Sequence, residues 1–157
     1  MKGDNSMIFH IKDTEEKKQI AREVLEDLKD WFENDEGREG LIKESGELTL
    51  LASKEEGNVQ GFLAIRQTGD VTCEIAVIGV KKAYRGQGIG RILVETSKAY
   101  AKAMGARFLQ VKTVKRGMYK EYDETNDFYR SVGFGEFEVM EELWDKANPC
   151  QIYIMAL

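Results

Sequence analysis

Three glycines within five residues constrain this chain more than any other feature. The segment Val80-Lys-Lys-Ala-Tyr-Arg-Gly-Gln-Gly-Ile-Gly-Arg91 sets Gly86, Gly88 and Gly90 between an apolar run and a long amphipathic stretch. Glycine enters the left-handed backbone region without strain and lets a bulky ligand approach the main chain. A helix beginning at such a turn offers unpaired N–H groups and the positive end of its dipole. Strand, glycine turn and helix start together make a receptor for phosphate oxygens. Arg85 and Arg91 add full positive charge, with Lys81 and Lys82 nearby in sequence. The competing reading is a glycine-rich turn without a ligand. Two nucleotide readings fail on named residues. A Walker loop needs Lys-Ser/Thr after its last glycine, and here Gly90 is followed by Arg91-Ile92. A G-x-G-x-x-G fingerprint opens at Gly86 and Gly88 but meets Arg91 where its third glycine belongs.

The rest of the chain reads as alternating strands and helices. Residues 7–11 suggest a strand, and Asp13 or Thr14 caps a helix, with Glu16 in capping-box spacing from Asp13. Ile20, Val24, Leu25, Leu28, Trp31 and Phe32 recur at helical spacing and mark its buried face, with Gly37 and Gly40 interrupting it. A second short helix around Leu41 and Ile42 would end near Gly46. Strands are expected over 48–52, 59–66 and 71–80. The third is apolar apart from Glu74, which suggests a central strand covered on both faces. A helix over 88–104 would bury Ile89, Ile92, Leu93, Thr96, Ala99, Tyr100 and Ala103, with Gly105 as its C-cap. A strand over 107–114, a charged aromatic loop over 115–122 and a helix over 123–132 closed by Gly133 follow. Two last strands, 136–144 and 151–157, are separated by Asn148-Pro149. The order implies an α/β mixed sheet in one domain spanning 7–157, with residues 1–6 as a flexible N-terminal tail.

Composition excludes several functions. The 157 residues carry a formal net charge of -5, which argues against nucleic acid as a partner. Cys73 and Cys150 are the two cysteines and His10 the single histidine, too few for a disulfide scaffold or a metal site. Both cysteines sit in apolar surroundings, as reduced buried thiols do. No apolar run is long enough to cross a membrane, and the first residues lack the apolar core of a signal peptide. A cytoplasmic protein without metal or membrane association is expected.

Arg85-Gly-Gln-Gly-Ile-Gly90 resembles the acetyl-CoA signature Q/R-x-x-G-x-G/A of the GNAT acetyltransferases. Asn126-Asp-Phe-Tyr-Arg-Ser-Val-Gly-Phe134 is similar to the same family's N-x-x-F-Y-x-x-x-G-F helix, with one residue rather than two between Asn126 and Phe128, and the element order matches from Met7 to the C-terminus. The tail Trp144 to Ile152 resembles a subgroup of small bacterial members. The resemblance implies a central mixed sheet of about seven strands with helices on both faces. It also implies acetyl-CoA as cosubstrate and transfer of its acetyl group to a primary amine by direct attack in a ternary complex.

The resemblance assigns cofactor contacts to Arg85, Gly86, Gln87, Gly88, Ile89, Gly90 and Arg91. It implies that the strand ending at Val80 splays from its parallel neighbour over 107–114, and that the main chain of Ile78 and Val80 meets the pantetheine arm, the Val80 N–H polarising the acetyl carbonyl. Tyr129 falls on the family's general acid, against a reading as a packed aromatic beside Phe128. Asn126 falls on a cofactor contact, against a solvated polar residue in a first helical turn. Glu74 lies eleven residues before Arg85 and matches a general base, against a carboxylate near the strand's start that faces solvent or a neighbouring Lys. Cys73 as a covalent nucleophile would need a base such as His10, which nothing in the sequence places beside it. Met118, Tyr119 and Tyr122 are candidates for an acceptor pocket, and Lys112, Lys115, Arg116 and Lys120 for an anion contact or a solvated rim. Glu136, Glu138, Glu141 and Glu142 suit either a cationic amine or an exposed strand face. The acceptor, a small molecule or a peptide, stays open, as does a homodimer. The rival function is a non-catalytic acyl-CoA-binding or sensing module of the same fold.

Overall fold

The computed structural model describes residues 6–157. Of the expected flexible tail, residues 1–5 lie outside the described residues, and Ser6 already opens the first strand. The elements are β1 (Ser6–Ile11), α1 (Thr14–Asp27), α2 (Asp35–Ser45), β2 (Thr49–Glu55), β3 (Asn58–Gln67) and β4 (Thr72–Val80), then α3 (Ile89–Ala103), β5 (Phe108–Val114), α4 (Lys120–Ser131), β6 (Gly135–Asp145) and β7 (Asn148–Ala156). The strands form a seven-stranded mixed sheet in the order β1-β2-β3-β4-β5-β7-β6, with β4 in its middle as the apolar run suggests. Two compact units make up the chain: the part up to Arg66 together with Val77–Ser97, and Gln67–Ala76 together with Lys98–Leu157.

In the first unit β1, β2 and β3 form an antiparallel meander, with a bulge in β2 between Ser53 and Lys54. Ile20, Val24 and Leu25 of α1 and Ile42 of α2 bury against one core with Leu50, Ala52, Phe62 and Val77. The Asp13 side chain caps α1 by accepting from the Glu16 N–H at 2.9 Å. That helix stops at Asp27, so Trp31 and Phe32 are not on its face; they follow it and pack on the core half-buried. Gly37 and Gly40 do not break a helix either, because they lie inside α2, which Asn34 caps through the Gly37 N–H at 2.7 Å. Gly61 is needed for a close approach. A Cβ there would lie 2.6 Å from the Gly79 carbonyl oxygen and 3.1 Å from the Val80 Cα.

In the second unit, Thr72–Ile75 of β4 pair in parallel with Phe108–Val111 of β5. β5 pairs antiparallel with β7, and β7 with β6. β7 begins at Asn148, so Pro149 belongs to the strand rather than to the gap before it. Its carbonyl accepts from the Lys115 N–H at 2.8 Å, and opposite it β6 bulges between Met140 and Asp145. A residue without an N–H fits a strand where the partner bulges away. β6 is exposed nearly throughout, including Glu136, Glu138, Glu141 and Glu142. α4 starts at Lys120, three residues before its expected start, so Tyr122 is helical.

The buried stripe of α3 differs from the expected one. Ile89, Leu93, Val94, Ser97 and Ala101 are buried, whereas Ile92 is 41% exposed and Ala99 and Ala103 are also exposed. Apolarity favours Ile92 and Tyr100, but the helix buries the adjacent stripe. Ser97 is tolerated there because its hydroxyl donates to the Val94 carbonyl at 2.7 Å.

Candidate active site

The glycine loop is built in the first unit. β4 ends at Val80, and a single 3-10 turn, Lys82–Tyr84, redirects the chain. Gly86 and Gly88 then take φ of +75° and +82°, a region that favours glycine. Gly90 needs no such freedom, since it lies in the first turn of α3. The Ile92 N–H reaches back to the Gly88 carbonyl at 3.1 Å, so α3 starts directly on the glycine turn. Gly86, Gln87 and Gly88 are exposed, and a Cβ at Gly86 or Gly88 would meet no atom within 4 Å. The turn is therefore open on the side where a ligand would approach.

The charges around it are arranged differently from the sequence expectation. Lys81 forms an ion pair with Glu23, and the Lys82 Nζ lies 2.9 Å from Asp30. The Lys82 N–H donates to Asp27 at 2.8 Å. Acids at the end of α1 and just beyond it thus balance both lysines. Arg85 and Arg91 are exposed, and the Arg85 guanidinium stacks over the Trp31 ring at 4.7 Å. The helical spacing of Trp31 marks it only as a core residue, and the tertiary fold alone brings it to Arg85. Ile78 and Val80 are half-buried in β4.

Glu74, Asn126 and Tyr129 belong to the second unit, and all three are buried. Glu74 Oε2 accepts from the Lys112 ammonium at 2.6 Å, so the one carboxylate of an apolar strand has the neighbouring lysine as a partner. Asn126 is not a solvated first-turn residue. It lies within α4, and its amide donates to the Val114 carbonyl at 2.9 Å and to the Tyr122 carbonyl at 2.6 Å. Its Oδ1 accepts from the Tyr153 hydroxyl at 2.6 Å. Both side-chain donors are therefore committed to main chain, and a side-chain contact with a cosubstrate is left only the acceptor oxygen.

Tyr129 packs among Phe128, Phe134 and Tyr153, with ring centroids 5.7, 5.8 and 5.8 Å away. Burial pushes its phenol well above the ordinary value of 10.0, and Tyr122 and Tyr153 add to the rise. The group stays protonated at any physiological pH. Among the described residues no protein group hydrogen-bonds its hydroxyl. Before α4, the Gly117 N–H donates to Asp123 at 2.7 Å and Arg116 pairs with Asp127, which pins the loop that presents the exposed Met118 and Tyr119. Cys73 and Cys150 are free and fully buried, and desolvation raises both thiols above their ordinary value. A raised thiol is a poor nucleophile. Among the described residues no group of three or more His, Cys, Asp or Glu is placed to hold a metal ion, and no helix is long and apolar enough to cross a membrane.

A strand thus leads into an open left-handed glycine turn at a helix start, within a seven-stranded mixed sheet. The model of the acetyltransferase (GNAT) family matches residues 12–134, and the chain belongs to that family. Solved structures share the fold over nearly the whole chain. One is an acetyltransferase of the GNAT family from Desulfovibrio desulfuricans, 17% identical, with a TM-score of 0.85 over 96% of this chain and 98% of that one. A GNAT family acetyltransferase from Elizabethkingia anophelis with acetyl-CoA bound is 17% identical, with a TM-score of 0.76 over 99% and 100%. An aminoglycoside 6'-N-acetyltransferase complexed with coenzyme A is 16% identical, with a TM-score of 0.71 over 96% and 96%. No curated protein matches the sequence.

Proposed function

We propose that this protein is an N-acetyltransferase that takes acetyl-CoA as cosubstrate and acetylates a primary amine, on a small molecule or a peptide, in a ternary complex. The observation that carries the reading is the open left-handed turn at Gly86 and Gly88 directly before α3. Acetyl-CoA would supply an acetyl group already activated as a thioester. The turn's main chain and Arg85 suit its phosphates, with Gln87, Ile89, Gly90 and Arg91 completing the loop. Ile78 and Val80 offer main chain at the end of β4, where an N–H polarises an acyl oxygen. Tyr129 donates a hydrogen bond to the leaving sulfur, a role that suits a phenol kept protonated by burial. Glu74 takes the amine proton, with Lys112 holding one of its oxygens. Asn126 acts through its placement in α4. The family supports an acyltransferase, and the acetyl-CoA and coenzyme A complexes of two neighbours support the cosubstrate. A cytoplasmic enzyme, alone or as a homodimer, without nucleic acid or membrane partners, fits this reading.

The rival is an acyl-CoA-binding or sensing module. A turnover screen separates the two. Purified protein with acetyl-CoA is offered aminoglycosides, polyamines, amino acids and N-terminal peptides, and thiol release is followed. Release above the buffer rate with at least one amine is expected. Tight acetyl-CoA binding with no release for any of them would favour the sensing module.

A further inference from the structure

Tyr153 is fully buried in β7, yet it carries a hydroxyl. A phenylalanine would make the same ring contacts, and a buried hydroxyl without a partner is unfavourable. Its partner is Asn126 Oδ1 at 2.6 Å. The other end of that amide is tied to the last residue of β5 through the Val114 carbonyl, and to its own helix through Tyr122. One side chain therefore fixes α4 against both β5 and β7. Tyr129 follows three residues after Asn126, on the same helical face. Its ring lies against the Tyr153 ring at 5.8 Å and edge-on to Phe134 at 5.8 Å. Tyr153 thus touches Tyr129 directly with its ring and sets the helix that carries it with its hydroxyl.

We propose that Tyr153 and Asn126 form a buried positioning pair that sets the Tyr129 phenol. The proposal rests on the reading of Tyr129 as the proton donor. Neither member touches the reacting atoms. Rotation or translation of α4 would carry Tyr129 with it, and a displacement near 1 Å is enough to lower a rate by up to about a hundredfold. In this chain the Asn126 amide serves as an internal tie between helix and sheet, with both N–H groups already spent.

The test is thiol release from acetyl-CoA above the enzyme-free rate, with hydroxylamine as the probe nucleophile, for wild type, Tyr153→Phe, Tyr129→Phe and the double variant. Tyr153→Phe keeps the ring and removes the tie. Its kcat should fall about tenfold with the KM for acetyl-CoA unchanged. In the Tyr129→Phe background the same change should cause no further loss, because the group being positioned is gone. Wild-type kcat in Tyr153→Phe alongside an impaired Tyr129→Phe overturns the pair and leaves the proton donor standing. Losses that multiply in the double variant also overturn it, since they mark a generally loosened fold. A fully active Tyr129→Phe, or a wild type that releases no thiol, removes the proton-donor reading and this inference with it. If Tyr153→Phe does not fold, Asn126→Ser replaces it under the same criteria.

Discussion

Gly61→Ala probes whether the close approach beside Val80 matters to the site. The added Cβ would lie 2.6 Å from the Gly79 oxygen, and ordinary contact begins near 3.4 Å. The strands must part by about 0.8 Å, and both crowded neighbours, Gly79 and Val80, contribute backbone atoms that cannot swing aside. Overpacking of this kind costs about 1–3 kcal/mol. For a chain near 150 residues, about 2 kcal/mol lowers Tm by roughly 4–8 °C. The same shift moves the Val80 main chain, so kcat should drop by about ten- to a hundredfold in surviving folded protein. Differential scanning calorimetry and initial-rate kinetics read the two effects separately. Gly40→Ala is the control. Its Cβ meets nothing within 4 Å and it sits in α2, so stability should rise by about 0.5–1 kcal/mol. A Gly61→Ala protein with wild-type Tm and kcat would refute the argument from crowding.

Tyr129→Phe should lower kcat by about 10²–10⁴-fold while acetyl-CoA affinity, measured by calorimetry, stays nearly constant. The same variant should flatten alkaline unfolding. The folded-state value of the Tyr129 phenol is raised, so the folded protein holds its proton more tightly, and the stability this confers is present below pH 10 and lost as pH rises above it. Denaturant midpoints between neutrality and high pH check this, and equal slopes in both proteins would contradict it. Glu74→Gln keeps an acceptor for Lys112 but removes the charge opposite it, so the variant should lose about 1–3 kcal/mol of stability. Its rate should fall near neutrality and recover partly at high pH, where free amine is abundant; an unchanged pH profile would make Glu74 structural.

Much of the fold was legible because its signals are local. The Asp13 cap, the apolar strand over β4 and the glycine turn each declare themselves within a few residues. The turn's conformation was legible for the same reason, since the left-handed backbone at Gly86 and Gly88 favours glycine. What was not legible depends on residues far apart in sequence. Lys81 and Lys82 look like free charge until the end of α1 supplies Glu23 and Asp30. Asn126 looks like a surface amide until β5 and β7 supply its partners. The stripe of α3 was displaced because burial selected Ser97 and Ala101 over larger apolar neighbours. In each case a tertiary partner overrode the local pattern.

The central claim is that the turn before α3 receives acetyl-CoA, and thermal unfolding against acetyl-CoA concentration tests it most directly. A ligand that binds only the folded state stabilises it by about 2.7 kcal/mol at a hundred times its Kd. Wild type should therefore show a Tm that rises with acetyl-CoA. Gly88→Val, which forces a branched side chain into a φ of +82° and onto the open face of the turn, should remain folded and lose the shift. No shift in wild type, or an equal shift in folded Gly88→Val, would contradict the account.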